Sequence, residues 1–335
     1  MPMRFGLFLQ PFHHPSDDPT QALHRDLDLI THLDYLGFDE AWVGEHHSTG
    51  WENIAAPEAF IAAAADRTSR IRLGTGVVQL GLHHPLVLLD RMIMLDHLTR
   101  GRVTFGMGVG GGIPADLTVF GLTKEIAAAR MEESIDVMMR LLRADGPVSA
   151  SSDWFELRDA TLQLRPYTEP HMPFAVASTH RANVEFMGRT GGKVLMGPLP
   201  GRVPAVLEDL QRGAEQSGRE ASRDQIELSY MLHVAETRDQ AIEGFKEGAI
   251  KERYEFVSGV NGNPEPDGSP EEWYAGYAEA NLIGSPADVI EKIESIADES
   301  GGVGGMIFMT RDWAGIEANR QSWRLFAEEV APKFS

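Results

Sequence analysis

Cysteine is absent from the 335 residues. Disulfides, thiolate metal sites and a cysteine nucleophile are therefore excluded. Positive charge is scarce: 30 Lys and Arg stand against 50 Asp and Glu, a formal charge of −20. A phosphate backbone needs a basic face, so nucleic acid is not an expected partner, and the acidic excess reads as a solubility feature. No stretch comes near the roughly 18 uninterrupted apolar residues of a membrane span, so no membrane is expected either. The start, Met1-Pro2-Met3-Arg4-Phe5, runs directly into a strand pattern without a signal-peptide layout, and the expected location is the cytoplasm. Internal repeats, coiled-coil heptads and low-complexity tracts are missing too.

What remains is the composition of a globular protein, 42% apolar and 24% charged. Short apolar runs predict strands at 4–9, 40–43, 71–78, 102–107, 174–177, 193–196, 226–234 and 303–309. Between them lie helical patterns, such as Leu23, Leu27, Ile30 and Leu33 after the start signal Asp17-Asp18-Pro19. Alternation of this kind implies a parallel sheet with helices outside it. Eight units at this length favour a closed (β/α)8 TIM barrel, one α/β domain spanning 1–335. Two insertions are expected. One is a small hairpin near 150–165, from Trp154–Leu157 and Thr161–Leu164. The other is a loop or lid near 257–285, whose Gly/Asn/Pro-rich part runs from Val257 to Pro270.

The stretch Ala41-Trp42-Val43-Gly44-Glu45-His46-His47 passes within three positions from a buried strand to a carboxylate and two imidazoles. Strand C-termini of a barrel are where chemistry is placed, over a rigid core. Adjacent residues point opposite ways, so at most one of His46 and His47 faces the axis. A pocket histidine suits acid–base work near neutral pH; otherwise it is a structural histidine satisfied by hydrogen bonds. His13-His14 and His83-His84 also end strands, but adjacent pairs lack the His-x-His spacing that turns both rings inward, so no metal is expected. Gly106-Met107-Gly108-Val109-Gly110-Gly111-Gly112 contains a formal G-x-G-x-x-G, yet it follows the fourth strand and Ile113-Pro114 interrupts the helix start. A dinucleotide turn is therefore disfavoured; the glycines signal close backbone approach to a ligand, or a flexible loop. Ser178-Thr179 precedes a helix whose free amides suit an anion, or merely water.

Taken together, Gly37 to His47, Arg72-Leu73-Gly74-Thr75-Gly76-Val77, His84-Pro85-Leu86 and Asp96 to Gly106 resemble the bacterial luciferase-like flavin monooxygenases. Met3 to Phe8 and the Phe12-His13 loop are most similar to the limonene monooxygenase branch. The resemblance implies a barrel holding reduced FMN at its C-terminal mouth. A separate NAD(P)H-dependent flavin reductase supplies that FMN, and molecular oxygen adds to it as a C4a-hydroperoxide that oxygenates a small apolar substrate. It implies His46 as the acid–base residue, and a cis Gly76–Val77 bond under the flavin ring. Gly108 and Val109 would lie beside the ring, Ser178 and Thr179 at its phosphate, and a homodimer would form through barrel helices. Luciferases carry a phosphate-binding arginine where this chain has Val109. The phosphate then falls to backbone amides, Ser178 and Thr179, or Arg181, and the deazaflavin F420 is the alternative cofactor, for hydride transfer without oxygen insertion. Flavin–oxygen chemistry needs a dry pocket, which Phe8, Phe12 and Trp42 would line unless they are plain barrel core.

Overall fold

A computed structural model describes residues 2–334. Eight parallel strands close into the expected barrel: β1 Arg4–Leu9, β2 Glu40–Val43, β3 Arg72–Thr75, β4 Val103–Gly108, β5 Phe174–Val176, β6 Lys193–Met196, β7 Ile226–Val234 and β8 Gly305–Met309. Each pairs with its successor, and β8 returns to β1 with Gly305 opposite Arg4. The helices outside are α1 Pro19–Leu36, α2 Pro57–Arg67, α3 Pro85–Thr99, α4 Lys124–Arg143, α5 Arg181–Thr190, α6 Val203–Glu215, α7 Arg238–Glu252, α8 Pro270–Ala280, α9 Pro286–Ser300 and α10 Ile316–Leu325. Proline in the first turn starts six of them, α1, α2, α3, α6, α8 and α9, where its missing N–H costs nothing. No described helix is long and apolar enough to cross a membrane.

The barrel is filled in layers, because inward side chains of neighbouring strands meet at one height. At the N-terminal end Lys193 Nζ lies 2.7 Å from Glu40 and 2.6 Å from Glu227, with Arg4 reaching both carboxylates. Above this sits Trp42, wholly buried with Ala175, Leu195, Ile307 and Phe8. Its indole occupies the space beside Gly74, and a Cβ on Gly106 would stand 3.3 Å from it. Small residues on β3 and β4 thus make room for one large residue on β2. Trp42 belongs to the barrel core and does not line the substrate pocket expected of it. A ring this large on the central layer fills the barrel before it reaches the mouth.

The third strand is interrupted. Regular pairing stops at Thr75, the Gly76–Val77 bond is cis, and pairing with β4 resumes at Val78–Gln79. Thr75 bridges the gap: its hydroxyl donates to Gly106 O at 2.7 Å and accepts from Gly106 N at 2.8 Å.

Both insertions differ in detail from expectation. The hairpin pairs Val148–Ser151 with Glu156–Ala160, and 161–164 is not strand. Trp154 and Phe155 sit at its turn, where Trp154 Nε1 donates to Glu133 on α4 at 2.7 Å. Their bulk suggested a strand, but they pack as a turn against the helix. At the second insertion, α7 runs into a wider turn, Arg253–Ser258, and only 259–268 is irregular. Ser269 and Glu272 then form a capping box that starts α8, and Leu282–Gly284 adds a strand outside β7. The density of Gly, Asn and Pro masked that helix start in the sequence.

Candidate active site

The strand C-termini open into a cavity of about 1020 Å³, a volume that holds a drug-sized ligand with space remaining. Phe8, His46, Gly76, Val77, Gly108, Val109, Ser178 and Thr179, residues of five different strand ends, all line it. Phe12 does not. Its ring packs 5.3 Å from Trp51 and 5.0 Å from Phe256, with the Arg311 guanidinium 4.6 Å from its centroid. Together with Ile113 these rings form an apolar cluster drawn from three loops and the turn after α7. Phe12 is therefore part of this neighbouring cluster, and its expected place in the cavity wall is corrected.

His46 enters the cavity from the end of β2, 18% exposed through its side chain. Its Nδ1 donates to Asp116 Oδ2 at 3.0 Å, and Glu52 Oε2 stands 3.2 Å from the same nitrogen. Nε2 has no hydrogen-bond partner among the described residues. It lies at the wall near the Gly76 carbonyl: a Cβ on Gly44 would be 3.3 Å from Nε2 and 3.6 Å from that oxygen. Burial opposes the imidazolium, but the Asp116 hydrogen bond and the charges of Glu52, Asp116 and Glu45 outweigh it and raise the His46 pKa above its ordinary value. Asp116 is brought here by the one-turn helix Ala115–Thr118 that follows the glycine loop. Its second oxygen accepts the His47 backbone N–H at 2.6 Å.

Glu45 gathers two of the other histidines of these pairs. Glu45 is 1% exposed and accepts from Gln79 N at 2.8 Å, His47 Nε2 at 2.9 Å and His83 Nε2 at 2.7 Å. Burial raises its carboxyl, yet these hydrogen bonds prevail and hold it below the usual carboxylate range. His47 is raised in turn, chiefly by its bond to Glu45. His13 pairs with buried Asp26 at 2.9 Å. His47 and His83 thus meet on one oxygen of Glu45, while His46 and His13 turn to other carboxylates.

The cavity fits a planar ring with an anionic tail. Gln79 donates to Glu45 O at 2.9 Å, while its Oε1 is buried without a partner beside Gly110. A ring N–H would satisfy that orphaned acceptor. A Cβ on Gly108 would lie 2.5 Å from Val77 Cγ2, so only glycine leaves this edge of the cradle in place. At the other end, α5 starts at His180 with no side-chain cap. Ser178 Oγ accepts from His180 N and Asn183 Nδ2, both at 3.1 Å, which leaves its hydroxyl proton for an acceptor. Uncapped amides, the positive end of α5 and that hydroxyl suit a phosphate. Arg181 turns away to Glu185 at 2.6 Å, whereas Arg202 lines the cavity.

Sequence reasoning missed Asp116, Glu52, Gln79 and Arg202. No spacing joins Asp116 to His46, 70 positions away. Only the one-turn helix after the glycine loop makes them neighbours.

Comparison with known proteins gives a consistent answer. The family model described as luciferase-like monooxygenase matches residues 3–303. The chain is 40% identical over 344 residues to 4-hydroxyprotoasukamycin monooxygenase of Streptomyces nodosus subsp. asukaensis, covering 99% of this chain and 92% of that protein. It is 36% identical over 340 residues to limonene 1,2-monooxygenase of Rhodococcus erythropolis, covering 99% and 86%. Its fold superposes with a TM-score of 0.83 on the oxygenating constituent of 3,6-diketocamphane monooxygenase from Pseudomonas putida in complex with FMN, at 23% identity and covering 100% and 99% of the chains. The protein is therefore an enzyme of the luciferase-like monooxygenase family.

Proposed function

We propose that the protein is the oxygenase of a two-component system. It takes reduced FMN from a separate NAD(P)H-dependent flavin reductase, together with molecular oxygen, and oxygenates a small apolar organic substrate. The observation that carries this reading is His46 itself. It is a charged-leaning imidazole braced from behind by Asp116, with Nε2 free at the wall of a cavity that ends in an uncapped helix. Bound in that cavity, reduced FMN would supply the activation of oxygen by the route expected from the family.

The chain's own residues have distinct tasks. Gly76, Val77, Gly108 and Val109 border the ring, and Gln79 Oε1 accepts from it. Ser178, Thr179 and the first amides of α5 hold the phosphate, with Arg202 as the nearby cation in place of the family's arginine at Val109. His46 moves a proton at Nε2, and Asp116 keeps the ring in the tautomer and orientation that allow it. The cluster of Phe12, Trp51 and Phe256 helps to keep water out, as oxygen chemistry on a flavin requires. The expected homodimer would bury the outer face of α3, where Val87, Met94 and Leu98 stand exposed.

Anaerobic mixing with reduced FMN, followed by oxygen, tests the reading. The expected result is an absorbance transient that outlives the oxidation of free flavin and decays with product when an apolar substrate is present. Flavin oxidation no different from that in buffer, together with tight binding of F420, would replace it by F420-dependent hydride transfer.

A further inference from the structure

We propose that Glu52 is a positioning residue for His46: its carboxyl, buried against Nδ1, sets the charge that the imidazole presents to the cavity through Nε2. Two carboxylates face one N–H. Nδ1 carries a single hydrogen, and Asp116 Oδ2 takes it at 3.0 Å. Glu52 Oε2, although 3.2 Å from the same nitrogen, therefore has no hydrogen-bond partner among the described residues. A buried carboxylate oxygen without a donor is costly unless its charge answers another or it carries a proton.

The side chain is only 3% exposed. Glu52 as a whole residue is 7% exposed, its backbone bridges to Phe12, and its neighbour Trp51 is locked in the aromatic cluster. The other charged groups that face the His46–Glu52 pair come from four elements. They are Asp116 on the one-turn helix, Glu45 and His47 at the end of β2, Arg311 after β8, and Glu252 on α7. Arg311 is already committed to Glu252 at 2.9 and 3.2 Å and to Gln10 at 2.8 Å, so it attracts Glu52 without binding it. Ionised, Glu52 favours the imidazolium, and Nε2 is a donor. Protonated, it withdraws that support, and Nε2 becomes an acceptor. Burial raises the Glu52 carboxyl against the pull of the imidazolium, and the charge of Glu52 is among the causes that raise His46.

The inference refines the site of the proposed function, yet its main test needs no cofactor. Ring-proton NMR of His46 in the ligand-free protein, wild type against Glu52→Gln, should show the His46 midpoint falling by about one pH unit or more, the usual effect of losing an opposite charge at this distance. The pH profile of turnover should move the same way. A folded Glu52→Gln protein whose His46 midpoint stays within about 0.2 unit overturns the proposal, whatever the reaction is, because a packing role alone would not move it. If Glu52→Gln does not fold, carboxyl NMR of Glu52 in wild type and in His46→Gln decides. Its midpoint should rise once the imidazolium is gone, and an unmoved midpoint overturns the proposal.

Discussion

Asp116 holds His46 by Nδ1 and the backbone of His47 with its two carboxylate oxygens, at 3.0 and 2.6 Å, so the glycine loop and the end of β2 are tied at one point. The tie orients the ring with Nε2 toward the cavity. Asp116→Asn should keep the fold, lower the basicity of His46 and cut oxygenation by about 10- to 100-fold, because an amide can still accept from Nδ1 but no longer supports the imidazolium. Product formed per flavin oxidised, measured across pH, checks it.

His46→Ala should separate binding from chemistry. The residue lines one wall of a cavity whose proposed phosphate end, at Ser178 and Thr179, is elsewhere, so affinity for reduced FMN should change by less than about threefold, while oxygenation falls by roughly 10²- to 10⁴-fold. Unaltered coupling between flavin oxidation and product would remove His46 from the mechanism.

Ser178→Ala acts at the opposite end. It removes the hydroxyl proposed to meet the phosphate and leaves Asn183 Nδ2 without its acceptor. Binding of reduced FMN should weaken by about 0.5–1.5 kcal/mol, roughly 2- to 12-fold, with the His46 titration unchanged. Anaerobic fluorescence titration of FMN against the variant measures both the loss and, by comparison with riboflavin, its dependence on the phosphate.

The barrel was legible in the sequence because its strands are short, mainly apolar and spaced by helices, several with proline starts; β7 is buried at every position. The cavity lining was legible where motif residues sit at strand ends, as His46, Gly76, Gly108 and Ser178 do. Asp116 and Glu52 were not, since each lies in a connection between barrel elements, Asp116 on its one-turn helix, whose path depends on tertiary contacts. Periodicity could not tell Trp42 from a pocket residue either. On a strand, inward positions two residues apart share a direction but differ in depth, and depth is set by the neighbours Gly74 and Gly106.

That depth makes Trp42 a test of the core. Trp42→Ala would empty the central layer of the barrel, where nothing else can fill the space beside Gly74, and should cost about 3–5 kcal/mol in urea unfolding. The contact beneath Gly76 runs through Trp42 Cβ, 2.8 Å from where a Cβ on Gly76 would lie, and alanine keeps that atom. Flavin affinity should therefore change little in the variant at temperatures where it is still folded.

The charges beneath Trp42 give stability a pH dependence of definite sign. Lys193 bridges Glu40 and Glu227, and burial raises the Glu227 carboxyl from 4.5 to about 7. Between those values the folded chain holds a proton that the unfolded chain has released. The contribution of Glu227 is therefore full below pH 4.5 and is lost as pH rises through about 7. Glu227→Gln carries no titrating group, so the stability of wild type relative to this variant should decline across that window and level off above it. Lys193→Met removes the cation and leaves two carboxylates facing each other. It should destabilise by about 3–5 kcal/mol at pH 8, and by less at pH 5.5, where Glu227 already carries a proton and only one carboxylate charge is left without the cation. Urea midpoints of the three proteins at several pH values would show both effects, and a Lys193→Met penalty independent of pH would rule out this account of the cluster.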